Sequence, residues 1–112
     1  MKDLIEKVIK FRDDRDWKQF HDPKSLIGSV LIEASELLEI FQWSNTKDSY
    51  KVATEKKEKI EEEFADVMIY LLTLAHDIDI DIEKAVNKKI DTNNKKYPVI
   101  KSKGKSTKYD NL

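Results

Sequence analysis

Residues 22–43, DPKSLIGSVLIEASELLEIFQW, and residues 61–72, EEEFADVMIYLL, decide the fold. Beyond the opening Asp22–Pro23, the one breaker in either stretch is Gly28, so each reads as helix. Asp22 before Pro23 has the form of an N-cap followed by proline at the first helical position, opening a helix that runs to about Trp43. An advance of about 100° per residue gathers Leu26, Val30, Ala34, Leu37, Leu38 and Phe41 on one apolar face. The second stretch belongs to a helix predicted from near Thr54, apolar through Ala75 and ending around Asp77 to Asp79. Its core face is expected to carry Phe64, Val67, Met68, Leu71 and Ala75.

Outward from these two, Leu4, Ile5, Val8, Ile9 and Phe11 predict a first helix over about residues 2–16. Asp79 or Asp81 can cap a fourth, whose stripe of Ile82, Ala85, Val86 and Ile90 ends before Tyr97 and Pro98. Glycine occurs only at 28 and 104 and proline only at 23 and 98, which leaves little turn punctuation between long helices. The expectation is an all-α four-helix bundle. Its stripes are narrow for a chain of 112 residues, so the core is expected to be completed by a second copy.

Lys plus Arg number 21 and Asp plus Glu 22, a net charge of −1, so no global field draws in nucleic acid or an anionic membrane. Cysteine is absent, leaving oxygen and histidine as candidate metal ligands. No stretch approaches the roughly 20 apolar residues of a membrane span, and the charged opening MKDLIEKVIKF has no signal-peptide core. A cytoplasmic protein is expected.

The informative residues are carboxylates in unusual places. Glu33 falls between Leu37 and Ile40 on the second helix's wheel, and Glu36 between Ile40 and Trp43. On the next helix Glu63, Asp66 and Tyr70 form a strip bordering the apolar face. Residues three apart on a helix lie about 5–6 Å apart at Cβ, which suits two carboxylates sharing a cation. If the strips face each other, each pair at about 5 Å repels by roughly 3 kcal/mol at an effective dielectric near 20. Raised pKa values, basic partners or a divalent cation must relieve this, and an all-oxygen site favours Mg²⁺, with Mn²⁺ or Ca²⁺ as alternatives, over zinc. A di-iron bundle would need a histidine three residues after a liganding glutamate, where Glu36 and Asp66 stand instead. No GxxxxGK[ST] occurs, which leaves a P-loop enzyme unsupported.

Four segments, FRDDRDWKQFHDPKSL, EASELLEIFQW, EEEFADVMIYLL and KKIDTNNKKYPV, resemble in order and spacing the MazG-like family of all-helical nucleoside triphosphate pyrophosphohydrolases. The likeness is greatest to the short branch containing the dCTP pyrophosphatases, since Ile32 stands where larger MazG proteins often carry glutamate. The resemblance implies Mg²⁺ ligands at Glu33, Glu36, Glu63 and Asp66, and a catalytic domain over residues 1–98 followed by a basic tail over 99–112. It also implies base contacts from Trp17 and Trp43 with His21 nearby, Tyr70 against the sugar or phosphate, and triphosphate contacts from Lys89, Asn93 and Lys96. Glu36, furthest from the apolar face among the proposed ligands on its helix, is the expected acceptor of the attacking water's proton. Small relatives of this kind assemble as dimers or dimers of dimers, so a homodimer or homotetramer is expected. Two alternatives remain open on the residues: a non-catalytic helical interaction module, and a related pyrophosphohydrolase acting on a phosphoribosyl nucleotide.

Overall fold

The computed structural model describes residues 1–112, with helices throughout and no strand. The chain divides into two compact units, Met1–Asp79 and Ile80–Leu112. The first holds α1 (Lys2–Asp14), α2 (Pro23–Glu39), α3 (Ser49–Glu55) and α4 (Lys57–Asp77). The second holds α5 (Ile82–Lys96) and the short α6 (Val99–Ser102). The four long helices anticipated are therefore present as α1, α2, α4 and α5.

Capping sets the start of α2. The Asp22 carboxylate accepts the Ser25 backbone N–H at 2.9 Å and the Ser25 hydroxyl at 2.7 Å, while Pro23 fills the first turn. Those same hydrogen bonds hold the Asp22 carboxyl below its usual range. The helix stops at Glu39, four residues before the expected Trp43, because Phe41 and Gln42 bond back three residues, to Leu38 and Glu39, and wind the chain into turns. At its own end α1 stops at Asp14 rather than Asp16, since Asp16 turns left-handed with φ 53°, a conformation aspartate tolerates better than most residues.

In the first unit α4 is the central element: α2 lies along it, and α1 and α3 pack on it as well. The helix expected from Thr54 is instead two pieces, broken at Lys56, where φ −113° and ψ 27° leave helical values. No glycine or proline marks this break; it lets α3 turn its half-buried Val52 and Ala53 against α4. Leu26, Leu72 and Ala75 form the apolar centre, with Thr73 buried beside them and its hydroxyl donating to the Ile69 carbonyl at 2.7 Å. Three residues expected in the core lie outside it: Leu38 is 69% exposed, Phe64 57% and Leu71 41%. On α4 the buried side is centred on Glu63, Leu72, Thr73 and Ala75, which rotates Phe64 and Leu71, seven apart and so on one face, outward.

In the second unit, Asp81 caps α5 by accepting the Lys84 backbone N–H at 3.0 Å. Val86 and Ile90 of its expected stripe are exposed. After Pro98 the chain returns to Tyr97: the Tyr97 and Tyr109 rings meet edge to face at 6.0 Å, and the Lys96 ammonium lies 4.8 Å from the Tyr109 ring centre. No helix is long and apolar enough to cross a membrane.

Candidate active site

Packing α2 along α4 brings the carboxylates of Glu33, Glu36 and Glu63 together, with ligand oxygens all within 4.8 Å of one another. Glu63 is buried, Glu33 half-buried and Glu36 exposed. One oxygen of Glu33 and one of Glu63, Oε2 in each, is buried without any hydrogen-bond partner. Such atoms are costly unless something outside the chain satisfies them. The single cation provided from within is Lys59, one turn before Glu63, whose Nζ lies 2.9 Å from Glu63 Oε1.

Crowding separates the ionisation of the three acids. Glu36 is pushed up to about 7, first by the closeness of the Glu33 carboxylate, then by that of Glu63 and the charges of both. Glu63 shifts down, principally because Lys59 donates to it, against the opposing effect of burial. The donor set is all oxygen, anionic, convergent from two rigid helices and left with unpaired lone pairs, which fits a hard divalent cation. Asp66, one turn beyond Glu63, lies outside this group of three.

Asp66 reappears beside Glu33 in the wall of an adjoining cavity of about 240 Å³. Trp17, His21 and Tyr70 also line it, which brings three of the four aromatic candidates together there. The His21 and Tyr70 rings touch edge to face at 6.4 Å, and His21 Nδ1 is buried without a partner. Trp17 leans edge-on against Phe11 at 5.6 Å, and the Arg15 guanidinium covers the Phe11 ring at 3.8 Å. Trp43 is not brought to this wall; it stands 91% exposed on the turn after α2. Lys89, Asn93 and Lys96 occupy one stripe of α5, at spacings of four and three residues, in the second unit.

Two wall or site residues were not anticipated from the pattern. Arg12 lines the cavity while 2% exposed, and its position was signalled by helical spacing: Ile5, Val8, Ile9 and Arg12 share a face of α1. Lys59 was signalled by its place four residues before Glu63.

An all-α scaffold whose two longest helices converge three carboxylates beside an aromatic-walled cavity defines a helical protein with a candidate cation site next to a cavity. The MazG-like family profile matches residues 29–112. Rat dCTP pyrophosphatase 1 is 39% identical over 114 residues, spanning all of this chain and 67% of that protein. Human dCTP pyrophosphatase 1 is 34% identical over the same length, again covering all of this chain and 67% of the human one. The crystal structure of a pyrophosphatase from Archaeoglobus fulgidus superposes with a TM-score of 0.85 at 43% identity, covering 88% of this chain and 92% of that one. The chain belongs to the MazG-like family.

Proposed function

We propose that this chain is a divalent-cation-dependent pyrophosphohydrolase that converts a pyrimidine nucleoside triphosphate, dCTP foremost, to its monophosphate and pyrophosphate. One observation carries the reading: Glu33 belongs both to the under-compensated carboxylate cluster and to the wall of the aromatic cavity, so a cation held by the cluster would lie beside a space that could take a base. The relatives named dCTP pyrophosphatase support the substrate.

Trp17 and Tyr70 provide flat faces for the base, and His21 Nδ1 is a buried group in search of a hydrogen bond. Glu33, Glu36 and Glu63, with Asp66 one turn on, are the residues to hold Mg²⁺ or Mn²⁺. A bound cation would supply charge withdrawal from the phosphoryl oxygens. Water forms the new bond to the α-phosphorus, the bond from that phosphorus to the bridging oxygen breaks, and pyrophosphate leaves. Glu36, the exposed member of the cluster, accepts the water's proton. The outward apolar residues Leu31 and Leu38 of α2, and Phe64 and Leu71 of α4, are the surfaces by which copies assemble as a dimer or tetramer.

Incubation with each NTP and dNTP plus Mg²⁺, with and without chelator, followed by phosphorus NMR, tests this. Cation-dependent monophosphate and pyrophosphate, strongest with dCTP, is the expected result. Diphosphate and orthophosphate would overturn attack at the α-phosphorus, and no turnover would return weight to a non-catalytic module.

A further inference from the structure

Arg12 is a buried charge that neither the cation site nor the phosphate contacts employ. Its Nη1 lies 2.7 Å from each oxygen of Asp77, and its Nε donates to Asp13 Oδ1 at 3.1 Å. Asp77 is the last residue of α4, seven residues beyond Tyr70 and therefore two turns further along the same face. The pair thus ties the end of α1 to the helix that carries Tyr70, Asp66 and Glu63. A second link runs through the backbone. The Arg12 carbonyl accepts the N–H of Trp17 at 3.1 Å and that of Arg15 at 3.2 Å, because the left-handed Asp16 folds the chain back. One residue therefore fixes both aromatic walls, Trp17 by its main chain and Tyr70 by its side-chain partner.

A buried ion pair is often no more stabilising than apolar residues of the same volume, whereas a guanidinium between carboxylates has a direction that aliphatic packing lacks. Two helices joined by aliphatic contacts alone could slide and widen the cavity between them.

We propose that Arg12 and Asp77 form a positioning pair that sets the separation of Trp17 from Tyr70, and through it nucleotide affinity and base discrimination, without acting in bond cleavage. This rests on the reading above that the aromatic cavity seats the base.

The test is steady-state kinetics of Asp77→Asn with Mg²⁺ and the four dNTPs. The KM for the preferred nucleotide should rise about tenfold and the differences between bases shrink, with kcat at saturation within about twofold of the parent. Asp77→Glu, which restores a carboxylate, should recover part of the lost affinity. If circular dichroism shows Asp77→Asn unfolded at the assay temperature, Asp77→Glu, which keeps the charge but shifts the carboxylate by one methylene, serves for the same comparison, with a smaller rise in KM expected. A folded variant with the parent's KM and base preferences overturns the proposal, as does a loss confined to kcat. Trp17→Ala separates this from the reading beneath it. Unchanged KM there would show that the cavity does not seat the base, whereas a raised KM in Trp17→Ala beside an unchanged one in the Asp77 variant would sink the positioning pair alone.

Discussion

The same unit contains two clusters of charge built to opposite rules. At the end of α4, Asp77 receives Arg12 at 2.7 Å and His76 at 3.2 Å, and Arg12 also holds Asp13, so the charges close on themselves. Burial alone would push the Asp77 carboxyl up; the hydrogen bonds from Arg12 and His76 outweigh it and hold the group below its ordinary value. About four turns toward the start of α4, Glu63 meets Glu33 and Glu36 of α2 with one lysine beside it, and two of the three glutamates' buried oxygens have no partner. The first arrangement is complete within the chain. The second is left incomplete within the chain, and that contrast, rather than acidity as such, distinguishes the candidate site from a strut.

Removing one charge from each cluster should therefore break different things. Glu63→Gln, Glu36→Gln or Asp66→Asn should lower turnover by roughly 10³-fold or more while helicity by circular dichroism stays at the parent level. For Glu63→Gln the rise in Tm on adding Mg²⁺ should also disappear, since binding to the folded state alone is what raises it. Retained turnover in any of the three would remove that residue from the mechanism. Arg12→Met leaves Asp77 charged and half-buried without its main partner, at a cost of about 3 kcal/mol and roughly 12 °C in Tm. Added Mg²⁺ should not repair that variant's lost packing: urea melts with and without the cation should show the same deficit relative to the parent. A deficit that vanishes with Mg²⁺ would mean the two clusters are one.

The half of this contrast that was legible in the sequence is the local half. Glu33 with Glu36 and Glu63 with Asp66 could be read as pairs because helical spacing fixes neighbours three apart, and Asp22–Pro23 announced a cap that the Ser25 hydrogen bonds realise. What spacing does not fix is the rotation of one helix against another. A wheel weighted by hydrophobicity centres α4 on Phe64 and Leu71, yet packing centres it about one residue away, burying Glu63 and exposing both. That rotation decides that Glu63 joins Glu33 and Glu36 while Asp66 turns to the cavity. The partnership of Arg12 with Asp77 spans 65 residues, and the break at Lys56 carries no glycine or proline; both follow from tertiary contacts rather than from local pattern.

The smallest effect is also the most direct reading of the open cluster. Glu36 is pushed up to about 7 by its neighbours, from an ordinary value of 4.5. Between those values the folded state holds a proton that the unfolded state has released, so stability falls as pH rises through the window. The contribution is complete below the unfolded value and gone above the folded one. Glu63 and Asp77, both shifted down, act in the opposite sense and only on the acid side, where stability is lost as pH falls through their folded values. The Tm of the chelated protein should therefore decline modestly from pH 5.5 to pH 8, with the slope flattened in Glu36→Gln. A bound cation replaces that proton, so titration with Mg²⁺ at pH 7 should release about half a proton per site, measured by calorimetry in two buffers of different ionisation enthalpy. If no proton is released and the parent's melting curve is as flat as that of Glu36→Gln, the three carboxylates do not crowd one another in solution, and the case for an open cluster on α2 and α4 loses its electrostatic basis.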